Sequence, residues 1–261
     1  MQEILHTDNL KMALYITIKC KGKKNFRVWA EDKGKINSKY ADRIISVEGE
    51  RTIYFSFPIT PKQMFIGCLN ANDPNDHDFE VTLKEGNLKT YNIHMDSATD
   101  KFVQLAMNFC QVCGFERPAP QGTFYQTADE YYRIKYLPVI KDVMSGQVMT
   151  TPARIGHNTG IIEISAVKYV RYTFAMRMMI ILHEFSHKYK NPKMNLEINN
   201  EVGADINALY IYLGLGFSKV DAICVYANIF LKANTEQNIQ RMRKIMNYIQ
   251  KFENQEFARL N

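Results

Sequence analysis

The sequence predicts an α+β protein: an N-terminal β-sandwich followed by a mainly α-helical domain. Two patterns carry this. Up to about residue 95, apolar and polar residues alternate over short runs separated by turn formers, the period of half-buried strands. After Asp96 the spacing lengthens to the threes and fours of amphipathic helices. The boundary divides the chain into residues 1–95 and 96–261, and 261 residues suffice for two domains. An apolar fraction of 46% is that of a globular chain.

In the first domain, Leu14–Ile18, Phe26–Trp29, Arg43–Val47, Thr52–Phe57, Met64–Leu69, Phe79–Leu83 and Leu88–His94 read as seven short strands. Glu48-Gly49-Glu50-Arg51 and Glu85-Gly86-Asn87 read as tight turns, and regular short strands with such turns describe a sandwich. Lys19, Lys21, Lys23 and Lys24 cluster as on a solvated hairpin tip. Asp73-Pro74-Asn75-Asp76-His77-Asp78 offers oxygens suited to calcium, but the same residue types form ordinary polar turns.

In the second domain, Phe102, Val103, Leu105, Ala106, Phe109 and Val112 recur at helical spacing. Phe115–Gln126, with Pro118 and Pro120, reads as a loop. Tyr131–Leu137 reads as a strand or a helix end, and Ile161–Ser165, after a Gly-punctuated stretch, as a strand. Ser218, followed by Asp221, caps a helix expected to run to about Ala233. Thr235 caps a last helix with an apolar stripe at Ile239, Met242, Met246, Ile249 and Phe252, suited to core packing or to a partner.

The chemistry concentrates at His183-Glu184-Phe185-Ser186-His187. Residues four apart share a helix face, so His183 and His187 can hold one metal ion. Glu184 sits about 100° round the same helix, beside an open coordination position. The apolar run Met178–Leu182 leads straight into the motif, so the imidazoles would be buried, where unpaired polar groups are costly. A catalytic zinc takes three protein ligands and a water. Glu201, on a second helix fourteen residues after His187, is the natural third. Asp205, one turn on, shares its face and is the competing ligand.

His183-Glu184-x-x-His187 followed by Asn200-Glu201-Val202-Gly203-Ala204-Asp205 resembles the gluzincin metallopeptidases, the thermolysin-like and neprilysin-like enzymes. The resemblance spans about Phe174 to Leu213. It implies a zincin-like fold, one Zn2+ held by His183, His187 and Glu201, Glu184 as the general base, and Asp205 as the partner of His183. A carboxylate on the outer N–H of a ligating histidine fixes its tautomer. The chain departs from the family in three ways. Lys188 is charged, the link from His187 to Glu201 is short, and no histidine follows His187. In zinc peptidases of this build, a strand before the metal helix forms the edge above the cleft. Ile161, Ile162, Glu163 and Ile164 are the residues expected to bind substrate by strand addition; an ordinary core strand is the equal alternative.

The expected reaction is zinc-assisted hydrolysis of a peptide bond. Two other readings stand: a structural or assembly protein, for example of a virion or other particle, docking through the β-sandwich, and a hydrolase of another amide. The net charge of +6 is spread along the chain, which speaks against a nucleic-acid partner. No apolar run reaches the roughly 18 residues of a membrane span, and residues 1–10 lack a signal-peptide pattern. Five scattered cysteines, with Cys110 and Cys113 as one C-x-x-C, read as buried reduced thiols rather than a redox pair or half a zinc knuckle. The expected location is therefore cytoplasmic, with particle association as the variant.

Overall fold

A computed structural model describes residues 1–35, 37–191, 194, 201–231, 233 and 235–253. The chain divides into two compact units, Met1–Lys89 and Thr90–Asn261. The first is β-sheet; the second holds a small sheet and a larger set of helices.

Among the described residues the first unit has five strands, not seven: β1 (Gln2–His6), β2 (Met12–Asp32), β3 (Lys39–Phe57), β4 (Gln63–Asn70) and β5 (Phe79–Gly86). Two pairs of expected strands merge into β2 and β3, which run antiparallel as one long ribbon. The expected turn Glu48–Arg51 lies inside β3, and Leu88–His94 forms no strand. The turn chemistry is real but bends the ribbon rather than reversing the chain. Gly22 and Gly49 take φ +71° and +73°, a region open to glycine, beside a register shift between Cys20 and Lys23. Both strands therefore fold back together. Tyr40 and Phe57, 17 residues apart, would be about 56 Å apart on a straight strand, yet their ring centroids are 6.5 Å apart. Beyond the bend, β4 pairs with one half of β2 and β5 with the other. The facing layers bury Leu14, Ile16, Phe26, Val28, Phe55 and Ile66, so the sandwich is made by folding one ribbon. In the 73–78 loop, Asp76 is held by Lys24 at 2.7 Å and Asn70 at 2.7 Å; the polar-turn reading describes it.

In the second unit, α1 (Ser97–Val112) starts where Asp96 accepts from the Thr99 N–H at 2.7 Å. β6 (Thr123–Gln126) and β7 (Arg133–Leu137) follow; β6 occupies the end of the expected loop. β8 (Ala153–Ile155) and β9 (Ile162–Ser165) form a hairpin, and the sheet order is β6-β7-β9-β8. After the short α2 (Ala166–Tyr169) comes α3 (Phe174–Lys188), capped by Thr173. Met178 to Leu182 are wholly buried, each side chain contributing about 1.5–3 kcal/mol, and Phe102 of α1 stacks on Phe185 at 4.0 Å. This burial seats His183 and Glu184 in the core and leaves His187 at its margin. α4 (Glu201–Gly214) packs against α3.

α5 (Lys219–Val225), capped by Ser218, gives way to a π-helical turn at Tyr226–Phe230 where a continuous helix was expected. α6 (Glu236–Glu253) begins at Thr235, whose hydroxyl accepts from Asn238 N–H at 3.3 Å. Its buried face is Arg241, Ile245, Tyr248, Ile249 and Phe252, whereas Met246 is exposed. The expected stripe is thus rotated, because a charged residue occupies the core side. Among the described residues no helix is long and apolar enough to cross a membrane. Cys110 and Cys113 are fully buried.

Candidate metal centre

α3 and α4 bring the sequence motif together. His183 Nε2 and His187 Nε2 are 3.1 Å apart. Glu201 places Oε2 at 3.6 Å from the first and Oε1 at 3.6 Å from the second. Among the described residues these three form a group able to hold a metal, their donor atoms all within 4.8 Å of one another. Donors about 2.0–2.1 Å from a tetrahedral zinc stand about 3.3 Å apart, so separations of 3.1 Å and 3.6 Å fit that ion. The cluster matches the HExxH-plus-glutamate motif of gluzincin zinc proteases. It is the donor set of a single zinc ion, and its geometry suits a zinc-activated-water peptidase.

Glu201 is the ligand-side carboxylate; Asp205 stands behind. Asp205 is fully buried, and its Oδ1 lies 3.0 Å from His183 Nδ1. The approach is off the line of an ideal hydrogen bond, but no other partner of that buried nitrogen is present among the described residues. Burial pulls the His183 imidazolium down in pKa, and Asp205, with Glu184 and Glu201, more than offsets it, so the net shift is upward. His187 moves the other way, lowered by burial and by His183. Glu184, 8% exposed, has its carboxyl raised, first by burial and then by Glu201; His183 and the Ile155 N–H oppose this.

Arg241 of α6 was not anticipated. Its Nε and Nη2 donate to the two Asp205 oxygens at 3.0 Å each, and Nη2 also reaches Glu201 Oε2 at 3.1 Å. Such a fork fixes both carboxylates and balances their charge. The sequence signal for it is helical spacing: Arg241, Ile245, Tyr248 and Phe252 share one helical face. The Tyr226 hydroxyl donates to the Asp205 carbonyl at 3.0 Å. Phe230 covers the His183 ring at 4.2 Å, on a π-helical turn of the kind that recurs at functional sites.

Ile161, Ile162, Glu163 and Ile164 do not provide a free edge. β9 is paired to β7 on one side and β8 on the other. Ile162 and Ile164 are buried in the core, Glu163 is paired with Arg154 at 2.7 Å, and the Ile161 carbonyl accepts from Gly156. The sheet ends instead at β8, which lies against α3. Sequence places strands but not their lateral order, which is a tertiary property. His157 is exposed, and Tyr212 is a core residue stacked on Phe217 at 4.6 Å.

The sequence matches no known family model, and neither a curated protein nor a solved structure matches the chain.

Proposed function

We propose that the protein is a zinc-dependent metallopeptidase in which His183, His187 and Glu201 hold the ion and Glu184 is the general base. The observation that carries this is the convergence of three donor atoms at zinc-like separations, with Glu184 next to His183 on the same buried helix. A bound zinc ion would polarise the scissile carbonyl and acidify a water toward neutral pH. Glu184 takes the proton released as that water attacks and passes it to the departing amine nitrogen. Its burial, which raises its proton affinity, suits both halves of that transfer. Asp205 orients His183, and Arg241 balances the charge of the buried Asp205 while holding the more exposed Glu201.

β8, as the edge strand beside α3, is the element against which an extended peptide would add. We assign residues 1–95 to an accessory or docking domain and 96–261 to the catalytic domain, and infer a peptide or protein substrate. No feature among the described residues favours the particle-assembly reading. The test compares wild type with Glu184→Gln for zinc content by elemental analysis and for cleavage of an unstructured protein such as casein. The expected result is one zinc per chain in both proteins and a loss of cleavage of about 10²–10⁴-fold in the variant. Cleavage unaffected by the change refutes the role of Glu184; absence of stoichiometric zinc from wild type refutes the metal centre.

A further inference from the structure

Asn207 lies six residues after Glu201 on α4, outside the metal cluster, and is 1% exposed. Its amide group is fully committed to α3 and the chain leaving it. Nδ2 donates to Ser186 Oγ at 2.8 Å and to the Tyr189 carbonyl at 3.1 Å, while Oδ1 accepts from the Asn191 N–H at 2.9 Å. The partners fix the orientation of the amide: a carbonyl needs the NH2 side and an N–H needs the oxygen. Ser186 is wholly buried and sits between the two motif histidines. Tyr189 is the residue that ends α3.

These bonds form a second tie between α3 and α4. The first joins His183 to Asp205 at 3.0 Å. One tie lets two packed helices pivot about it; two ties at different positions set both their register and their roll. The requirement is tight, because zinc–ligand bonds are about 2.0–2.2 Å, and sliding α4 by one residue's rise of about 1.5 Å would carry Glu201 out of reach.

We infer that Asn207 is a positioning residue for the metal centre, holding α4 at the register that delivers Glu201 to His183 and His187. The inference rests on the zinc reading above. The test measures the zinc dissociation constant by chelator competition, and the visible spectrum of the cobalt(II)-substituted protein, for wild type, Asn207→Leu and Asn207→Asp. Leucine keeps the volume and removes all three bonds; its zinc affinity is expected to fall about 10–100-fold, the usual effect of removing an outer partner, with an altered cobalt spectrum. Aspartate keeps the acceptor for Asn191 but sets a charged oxygen against the Tyr189 carbonyl, so its affinity is expected to fall at least as far as that of the leucine variant. An Asn207→Leu protein that melts lower but binds zinc as wild type does, with an unchanged cobalt spectrum, overturns the inference. If that variant does not fold, Ser186→Ala removes one of the three bonds of that tie: weakened zinc binding supports the inference and unchanged binding overturns it. Wild type without stoichiometric zinc fails the zinc reading itself, whereas zinc-loaded wild type with unresponsive variants fails this inference alone.

Discussion

Replacing Arg241 by methionine isolates the electrostatics beneath the metal centre. The side chain is about as long, so packing along α6 is largely kept. The change strips Asp205, which is fully buried, of two charge-assisted hydrogen bonds of 3.0 Å, and Glu201 of one of 3.1 Å. Breaking a buried pair by removing one partner costs about 3–5 kcal/mol, because the remaining charge stays desolvated. For a unit of this size that corresponds to a fall in melting temperature of about 6–20 °C. Circular dichroism at 222 nm follows the helices of the second unit. Trp29, the single tryptophan, reports the first unit separately. The companion variant Arg241→Met/Asp205→Leu removes both charges and is expected to regain most of the stability. Its zinc affinity stays weakened by about 10–100-fold, since His183 has lost its carboxylate. An Arg241→Met protein whose helical transition lies within about 1 kcal/mol of wild type would refute the claim that this pair is a desolvated, mutually dependent unit.

Two further outcomes concern the first unit. The Asp76 carboxyl is lowered to about 2 by hydrogen bonds from Lys24, Asn70 and the Asp78 N–H. Its folded pKa lies below the unfolded value of about 3.9, so its stabilising contribution is complete above that value and disappears as pH falls toward about 2. Denaturation followed by Trp29 fluorescence between pH 5 and pH 2 should converge for wild type and Asp76→Asn at the acid end; parallel curves would exclude the coupling. Gly67 faces the indole of Trp29, and a Cβ there would lie 2.2 Å from Cζ2. Gly67→Ala should therefore displace the ring, cost about 1–3 kcal/mol and shift the Trp29 emission to the red. Unchanged emission and stability would show that the sheet yields instead of the ring.

Local signals carried much of this protein. The i, i+4 histidines needed only helical periodicity and an apolar approach to be read as one metal-binding face, and Glu201 and Asp205 needed only to be one turn apart. The same holds for the caps at Thr235 and Ser218, and for the change from strand to helix near residue 95. Other features depended on which surfaces meet. Turn residues at Gly22 and Gly49 specify a left-handed backbone, but whether the chain reverses or a paired ribbon bends is decided by pairing across β2 and β3. A strand's alternation says that one face is buried, not whether a neighbour lies on each side, so the edge passed from Ile161–Ile164 to β8. Arg241 and Asn207 look like surface residues in one dimension. They become interior only because α4 supplies a buried carboxylate to one, and α3 and its C-cap offer a hydroxyl and a carbonyl to the other. Backbone periodicity is short-ranged and written in neighbouring residues; the partner that makes a buried polar group tolerable comes from distant chain and exists only once the helices are packed.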